Sequence, residues 1–239
     1  MKKKLLMILT PILCLILAII SYIKFINIET DAIKFKKEYE ELNGKKINDE
    51  LKYNKLNINS NNPIKYSNYE EVIDIINNKT GIIYLGFPNC PWCRTAIPVL
   101  FDVAKDYDVK TIYYINIYND RDQFEVQNNK LVYSLDENGN EKKGVEGYFN
   151  LMEALDKYLT DYTISFNNQV YETGEKRIYA PTIIFIKNGK VLGLHVSTVE
   201  SQKSGFDKLS NNERKELYSI YEEYIIEMQQ TSCDVGASC

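Results

Sequence analysis

The sequence predicts an α/β domain, and three local patterns carry that expectation. Gly81-Ile82-Ile83-Tyr84-Leu85-Gly86-Phe87 is a short, nearly continuous apolar run, which suits a strand buried on both faces. A helix is expected to begin within Pro88-Asn89-Cys90-Pro91-Trp92-Cys93, and Thr111 to Ile117 forms a second buried strand, so the order strand, helix, strand indicates a parallel βαβ unit. Downstream, Pro181–Ile186 and Val191–Val196 flank Lys187-Asn188-Gly189-Lys190, and an Asn-Gly pair between apolar runs marks a β-hairpin.

The elements around this nucleus follow in chain order. Lys2, Lys3 and Lys4 precede an apolar run from Leu5 to Ile20 that weakens toward Ile26. A basic stretch before an apolar one is an export signal, and its length lies between a signal core and a short spanning helix. Ala18-Ile19-Ile20-Ser21 offers a poor cleavage site, so residues 1–26 are read as an uncleaved signal anchor with the lysines in the cytoplasm and the rest outside. Cys14 follows Ile12 and Leu13, not a small residue, and reads as a small apolar side chain facing lipid. Residues 27–62 are strongly charged and read as a stalk and linker. Tyr69 to Ile76 has helical spacing. Residues 118–176 read as a partly helical segment, with a turn at Asn138-Gly139-Asn140 and a helix from Tyr148 to Tyr162. Lys208 to Gln229 is a final helix with an apolar stripe that includes Leu217, Tyr221 and Ile225. Residues 231–239 are a small, polar, cysteine-containing tail.

Composition limits the function. The chain of 239 residues carries a formal net charge of −4 and shows no basic stripe interleaved with aromatics, so nucleic acid is a poor partner. The single histidine, His195, leaves a Ser-His-Asp triad or a multi-histidine metal site little to build on, and it reads as a strand residue. Five cysteines are too few for a disulfide scaffold at this length.

Cys90-Pro91-Trp92-Cys93 is the informative motif. Two residues between cysteines at a strand-to-helix junction is the arrangement of a redox-active pair. Pro91 suits the first helical position, where a missing N–H costs nothing. Cys90 then sits at the helix N-terminus, where free N–H groups and the helix dipole lower a thiol pKa from about 8.5 into a range of roughly 3.5 to 7.5. Cys90 is therefore the nucleophile, and Cys93, one turn in and less exposed, resolves the mixed disulfide. A zinc site and a static structural disulfide are the competing readings. Zinc needs four ligands, and Cys233 and Cys239 are too widely spaced for a common knuckle.

Beyond the CxxC, Cys90-Pro91-Trp92-Cys93-Arg94-Thr95-Ala96-Ile97-Pro98 resembles the C-x-x-C-basic-x-x-x-Pro helix of the thioredoxin superfamily. Ala180-Pro181-Thr182-Ile183-Ile184-Phe185-Ile186 resembles its cis-proline strand. The resemblance covers roughly 69 to 227. It implies a three-layer sandwich around a mixed central sheet, with a helical insertion before the cis proline. It also implies a cis Ala180–Pro181 peptide facing the dithiol, presenting backbone to an extended substrate, with Pro91, Trp92 and Ala180 as substrate contacts. The family often has a buried acid six residues before the first cysteine; here that position is Tyr84, so the Cys93 proton must be handled through Tyr84, water or another group. The short anchor, stalk and CPWC domain also resemble bacteriocin-transport-accessory-like thioredoxins.

The expected function is thus thiol–disulfide exchange on exported proteins or peptides at the outer face of a bacterial cytoplasmic membrane. It needs a redox partner and no cofactor or metal. The alternative is a non-catalytic accessory module that binds a peptide or a transporter. Cys233 and Cys239 are expected to close a tail disulfide, or to exchange electrons with Cys90–Cys93 as a tethered shuttle. Trp92 is expected to shield the cysteines. Arg94 either adds positive field at the thiolate or is a solvated helix residue.

Overall fold

The computed structural model describes residues 29–230, together with Ile16 and Ile19. The expected anchor, apart from those two residues, lies outside the described residues, as do Cys14, Cys233, Cys239 and the tail. Among the described residues no helix is long and apolar enough to cross a membrane.

The architecture is mixed α/β. Strands β1 (Ile64–Tyr66), β2 (Gly81–Gly86), β3 (Ile112–Asn116), β8 (Thr182–Lys187) and β9 (Lys190–Val196) form one five-stranded sheet in the order β1-β3-β2-β8-β9. The first three are parallel, β8 pairs antiparallel with β2, and β9 pairs antiparallel with β8 at the sheet edge. Helix α2 (Tyr69–Asn78) and helix α3 (Pro91–Asp106) supply the crossovers around β2. Alternation along β2 sends Tyr84 toward Phe35 of α1 (Asp31–Glu40), while Gly81 faces Ile75 of α2. Phe185 of β8 stacks on Tyr224 of α5 (Asn211–Gln229) at 4.9 Å. Helices α1, α3 and α5 thus cover one face of the sheet. Helix α2 covers the other and packs against α4 (Glu146–Ala154), whose Gly147 abuts Tyr69. These are the three layers expected.

Local chemistry explains the ends of the elements. Asn68 caps α2 by accepting from the Glu71 N–H, and Ser210 and Glu213 form a capping box on α5. The β8–β9 turn holds Asn188 at φ 50° and Gly189 at φ 72°, both left-handed as a tight hairpin requires. Gly189 is needed twice, because a Cβ there would meet the Asn77 carbonyl oxygen at 2.2 Å.

Two expectations are corrected. Of the charged segment 27–62, expected to be a stalk and linker, the described residues 29–62 pack into the domain. Phe35 and Tyr39 of α1 are fully buried, and Leu56 and Ile58 are buried with them. Phe35 packs against Tyr114 and Phe101, with ring centroids 5.0 and 5.9 Å away. Its charges occupy the outer face of α1 while one aromatic stripe at i, i+4 enters the core.

The insertion, expected to be partly helical, holds two β-hairpins beside one short helix. Strands β4 (Phe124–Gln127) and β5 (Lys130–Tyr133) form one hairpin, and β6 (Thr160–Phe166) and β7 (Gln169–Arg177) a second. The helix expected from Tyr148 to Tyr162 stops at Ala154, a 3-10 turn follows, and Thr160 begins a strand. Thr160, Tyr162, Thr163, Ile164 and Phe166 are β-branched or aromatic, and pairing with β7 overrides the weak helical spacing.

Candidate active site

The C-terminal end of β2 delivers Cys90 to the start of α3. Cys90 is the N-cap, its backbone extended, with Pro91 at the first helical position. Its side chain takes the capping role, since the Cys93 N–H donates to Cys90 Sγ at 3.1 Å. Across the cleft Ala180–Pro181 is a cis peptide, and the Cys90 thiol donates to the Ala180 carbonyl oxygen at 3.3 Å. Pro181 is held in turn, its carbonyl accepting from the Ser197 N–H at 2.8 Å. Cys90, Cys93, Ala180 and Pro181, distant in sequence, therefore meet at one point. Both thiols are free, with Cys90 4% exposed and Cys93 fully buried.

The two sulfurs are electrostatically unlike. Burial alone would raise the Cys90 pKa. Hydrogen bonds from the Cys93 thiol and N–H outweigh it, helped by the charge of Arg121 and the Trp92 N–H, so Cys90 ionises below the ordinary cysteine range. Cys93 is pushed well up by burial and by the neighbouring Cys90 sulfur. One sulfur is set to be a thiolate and the other to hold its proton.

Tyr84 occupies the space behind Cys93. Burial pushes its hydroxyl well above the ordinary tyrosine range, so it stays neutral, and beside Cys93 it favours that sulfur's ionised form. Tyr84 and Tyr39 share a buried hydroxyl–hydroxyl hydrogen bond of 2.8 Å. Gly86 makes the room, because a Cβ there would come within 2.4 Å of the Tyr84 hydroxyl oxygen. The segment expected to be a stalk therefore supplies, through Tyr39, the far end of a tyrosine pair leading to the resolving cysteine.

Pro91 and Trp92 are half-buried, and Trp92 packs against the core. Gly205 lies against their backbone, where a Cβ would meet the Trp92 nitrogen at 2.8 Å. The Thr95 hydroxyl donates to the Gly205 carbonyl at 3.0 Å and holds the 198–209 loop on the start of α3. His195 sits in β9, bonded through Nε2 to the Thr198 carbonyl at 2.8 Å.

Arg94 is not solvated. It is 1% exposed and serves as a clamp. Its guanidinium donates to the carbonyls of Tyr39 (2.6 Å), Asn54 (2.7 Å) and Pro88 (3.3 Å) and to Asn43 Oδ1 (2.7 Å). The arginine that acts on Cys90 is Arg121, from the insertion, which sequence reasoning missed. No local signal marks it, because its place depends on how residues 118–177 fold.

Among the described residues no group of three or more His, Cys, Asp or Glu side chains is arranged to hold a metal ion. No family model matches the chain, and no curated protein matches it. The chain is similar in structure to thioredoxin O2 from Arabidopsis thaliana in its oxidised state, at 15% identity over 68% of this chain and 94% of that chain, with a TM-score of 0.33. At that identity and score, what the site can do rests on the geometry above.

Proposed function

We propose that this protein is a thiol–disulfide oxidoreductase acting on disulfides of exported proteins or peptides, with Cys90 as nucleophile and Cys93 as resolving thiol. The observation that carries the reading is the position of the Cys90 sulfur, 3.1 Å from the Cys93 N–H at a helix start and 3.3 Å from the carbonyl beside cis-Pro181. The Cys90 thiolate attacks one sulfur of a substrate disulfide, a mixed disulfide forms, and the other substrate sulfur leaves. Cys93 then gives up its proton and attacks the Cys90 sulfur. The products are a Cys90–Cys93 disulfide and a reduced substrate; the same steps run backward transfer a disulfide to a dithiol substrate.

Ionisation also prepares the substrate groove. A thiol can donate to the Ala180 carbonyl and a thiolate cannot, so loss of the Cys90 proton frees that oxygen to accept a backbone N–H from an extended substrate. The extracytoplasmic, membrane-anchored setting is supported by the Lys2–Lys4 cluster and the apolar run that follows it.

A Cys93→Ser variant tests the reading. It should accumulate mixed disulfides in cells, each joined through Cys90, released by reductant and identifiable by mass spectrometry. A variant lacking both cysteines should trap nothing. Absence of Cys90-linked species in the single variant would instead favour a non-catalytic accessory module.

A further inference from the structure

Arg121, whose charge favours the Cys90 thiolate, has no hydrogen-bonding partner of its own among the described residues. It lies in the loop after β3, between Asp120 and Asp122. Asp120 accepts from the Tyr69 hydroxyl at 2.7 Å, and its carbonyl accepts from the Val145 N–H at 3.0 Å. Asp122 is paired through Oδ1 with Arg177 Nη1 at 2.6 Å, in a contact buried on both sides, while its Oδ2 makes no hydrogen bond among the described residues. Arg121 itself makes no hydrogen bond or ion pair among the described residues, and its Nε is buried without a partner.

The guanidinium lies over the Phe87 ring, 4.7 Å from its centroid, and the Phe87 carbonyl accepts from the Cys90 N–H at 3.2 Å. The loop cannot easily swing away. Tyr118 packs against the same Phe87 ring, tilted at 56° with centroids 5.0 Å apart, and the Asp122 nitrogen sits where a Cβ on Gly144 would come within 2.9 Å. An arginine cannot discard its charge, and its planar fork fits a carboxylate. Partly buried, without a hydrogen-bonding partner among the described residues and held on the residue that positions the nucleophile, it presents a fork suited to a carboxylate.

We propose that Arg121 is a carboxylate-binding subsite beside Cys90, which selects disulfide substrates carrying an acidic side chain next to the reacting cysteine. The proposal rests on Cys90 being the nucleophile and names the substrate class of that reaction. In the reaction, Cys90 and Cys93 give up two electrons and two protons and become a disulfide. The substrate disulfide gains them and becomes two thiols, while its carboxylate stays paired with Arg121. The pair forms at the margin of the cleft, so it contributes through a charge-assisted contact that salt weakens.

The test is single-turnover reduction by pre-reduced protein of two disulfide peptides that differ only in Glu or Gln beside the cysteine. Wild-type protein should reduce the Glu peptide about tenfold faster at low ionic strength, with the ratio shrinking as salt is raised. In Arg121→Gln the ratio should fall to about one, whatever happens to the absolute rates, and Arg121→Lys should give an intermediate ratio. A second pair, glutathione disulfide and its esterified form, separates a small-molecule carboxylate from a peptide side chain. Dependence on Arg121 in that pair alone overturns the peptide assignment. An unchanged Glu-to-Gln ratio in Arg121→Gln, even with both rates lowered, overturns the subsite and leaves Arg121 a role toward the thiolate only. If wild-type protein reduces neither peptide, the exchange reading fails as well.

Discussion

Replacing Cys90 with serine is expected to abolish disulfide exchange, lowering the rate by roughly a thousandfold or more, as loss of a nucleophile does elsewhere. The hydroxyl can occupy the N-cap and accept the Cys93 N–H, so the helix start should survive and the fold with it. What is lost is the sulfur. A serine oxygen neither ionises near neutral pH nor forms a mixed disulfide, and Cys93, fully buried and with its proton held by burial, cannot replace it. Reduction of insulin disulfides, followed by turbidity, reads the loss directly. Exchange at the wild-type rate in Cys90→Ser would remove this site from the chemistry.

The second large effect is on stability. Arg94→Ala should destabilise the protein by about 3–5 kcal/mol in urea denaturation. The side chain is almost wholly buried, and its departure would leave acceptors on Tyr39, Asn43, Asn54 and Pro88 without that donor. A cavity under the Tyr53 ring, whose centroid is 5.5 Å from the guanidinium, adds to the cost. Arg94→Lys keeps the charge but cannot span four acceptors with one ammonium, so it should recover only part of the loss. The clamp ties α1 and the 43–56 segment to the helix that carries the cysteines. Loss of Arg94 should therefore also disturb Tyr39 and, through its hydroxyl, Tyr84. A change within a few tenths of a kcal/mol would mean that α1 is not integral to the fold.

The parts of this arrangement legible in the sequence were local ones. The buried runs at 81–87 and 111–117, the Asn188-Gly189 turn and the CPWC motif each announce themselves within a few residues, and the structure places them as β2, β3, the β8–β9 turn and the start of α3. The seat of α1 was obscured because lysines and glutamates dominate its composition. Phe35 and Tyr39, four residues apart, were the available sign that one face is buried. The insertion misled in the opposite sense. Asn128-Asn129 and Asn167-Asn168 all adopt positive φ and close the two hairpins, a turn signal outweighed by apparent helical spacing from Tyr148 onward. Arg94 and Arg121 were out of reach for a different reason. A basic residue in a sequence does not say whether it will meet four backbone and side-chain acceptors or none, and only the packing of distant segments decides.

The sulfur at position 90 loses its proton more readily than the one at 93. The pH dependence of iodoacetamide alkylation of the reduced protein, with each cysteine resolved by peptide mapping, measures this. Modification of Cys90 should rise through a midpoint below that of a free cysteine, with Cys93 unmodified over the same range. A Cys90 midpoint at or above that of free cysteine, or faster labelling of Cys93, would contradict the account.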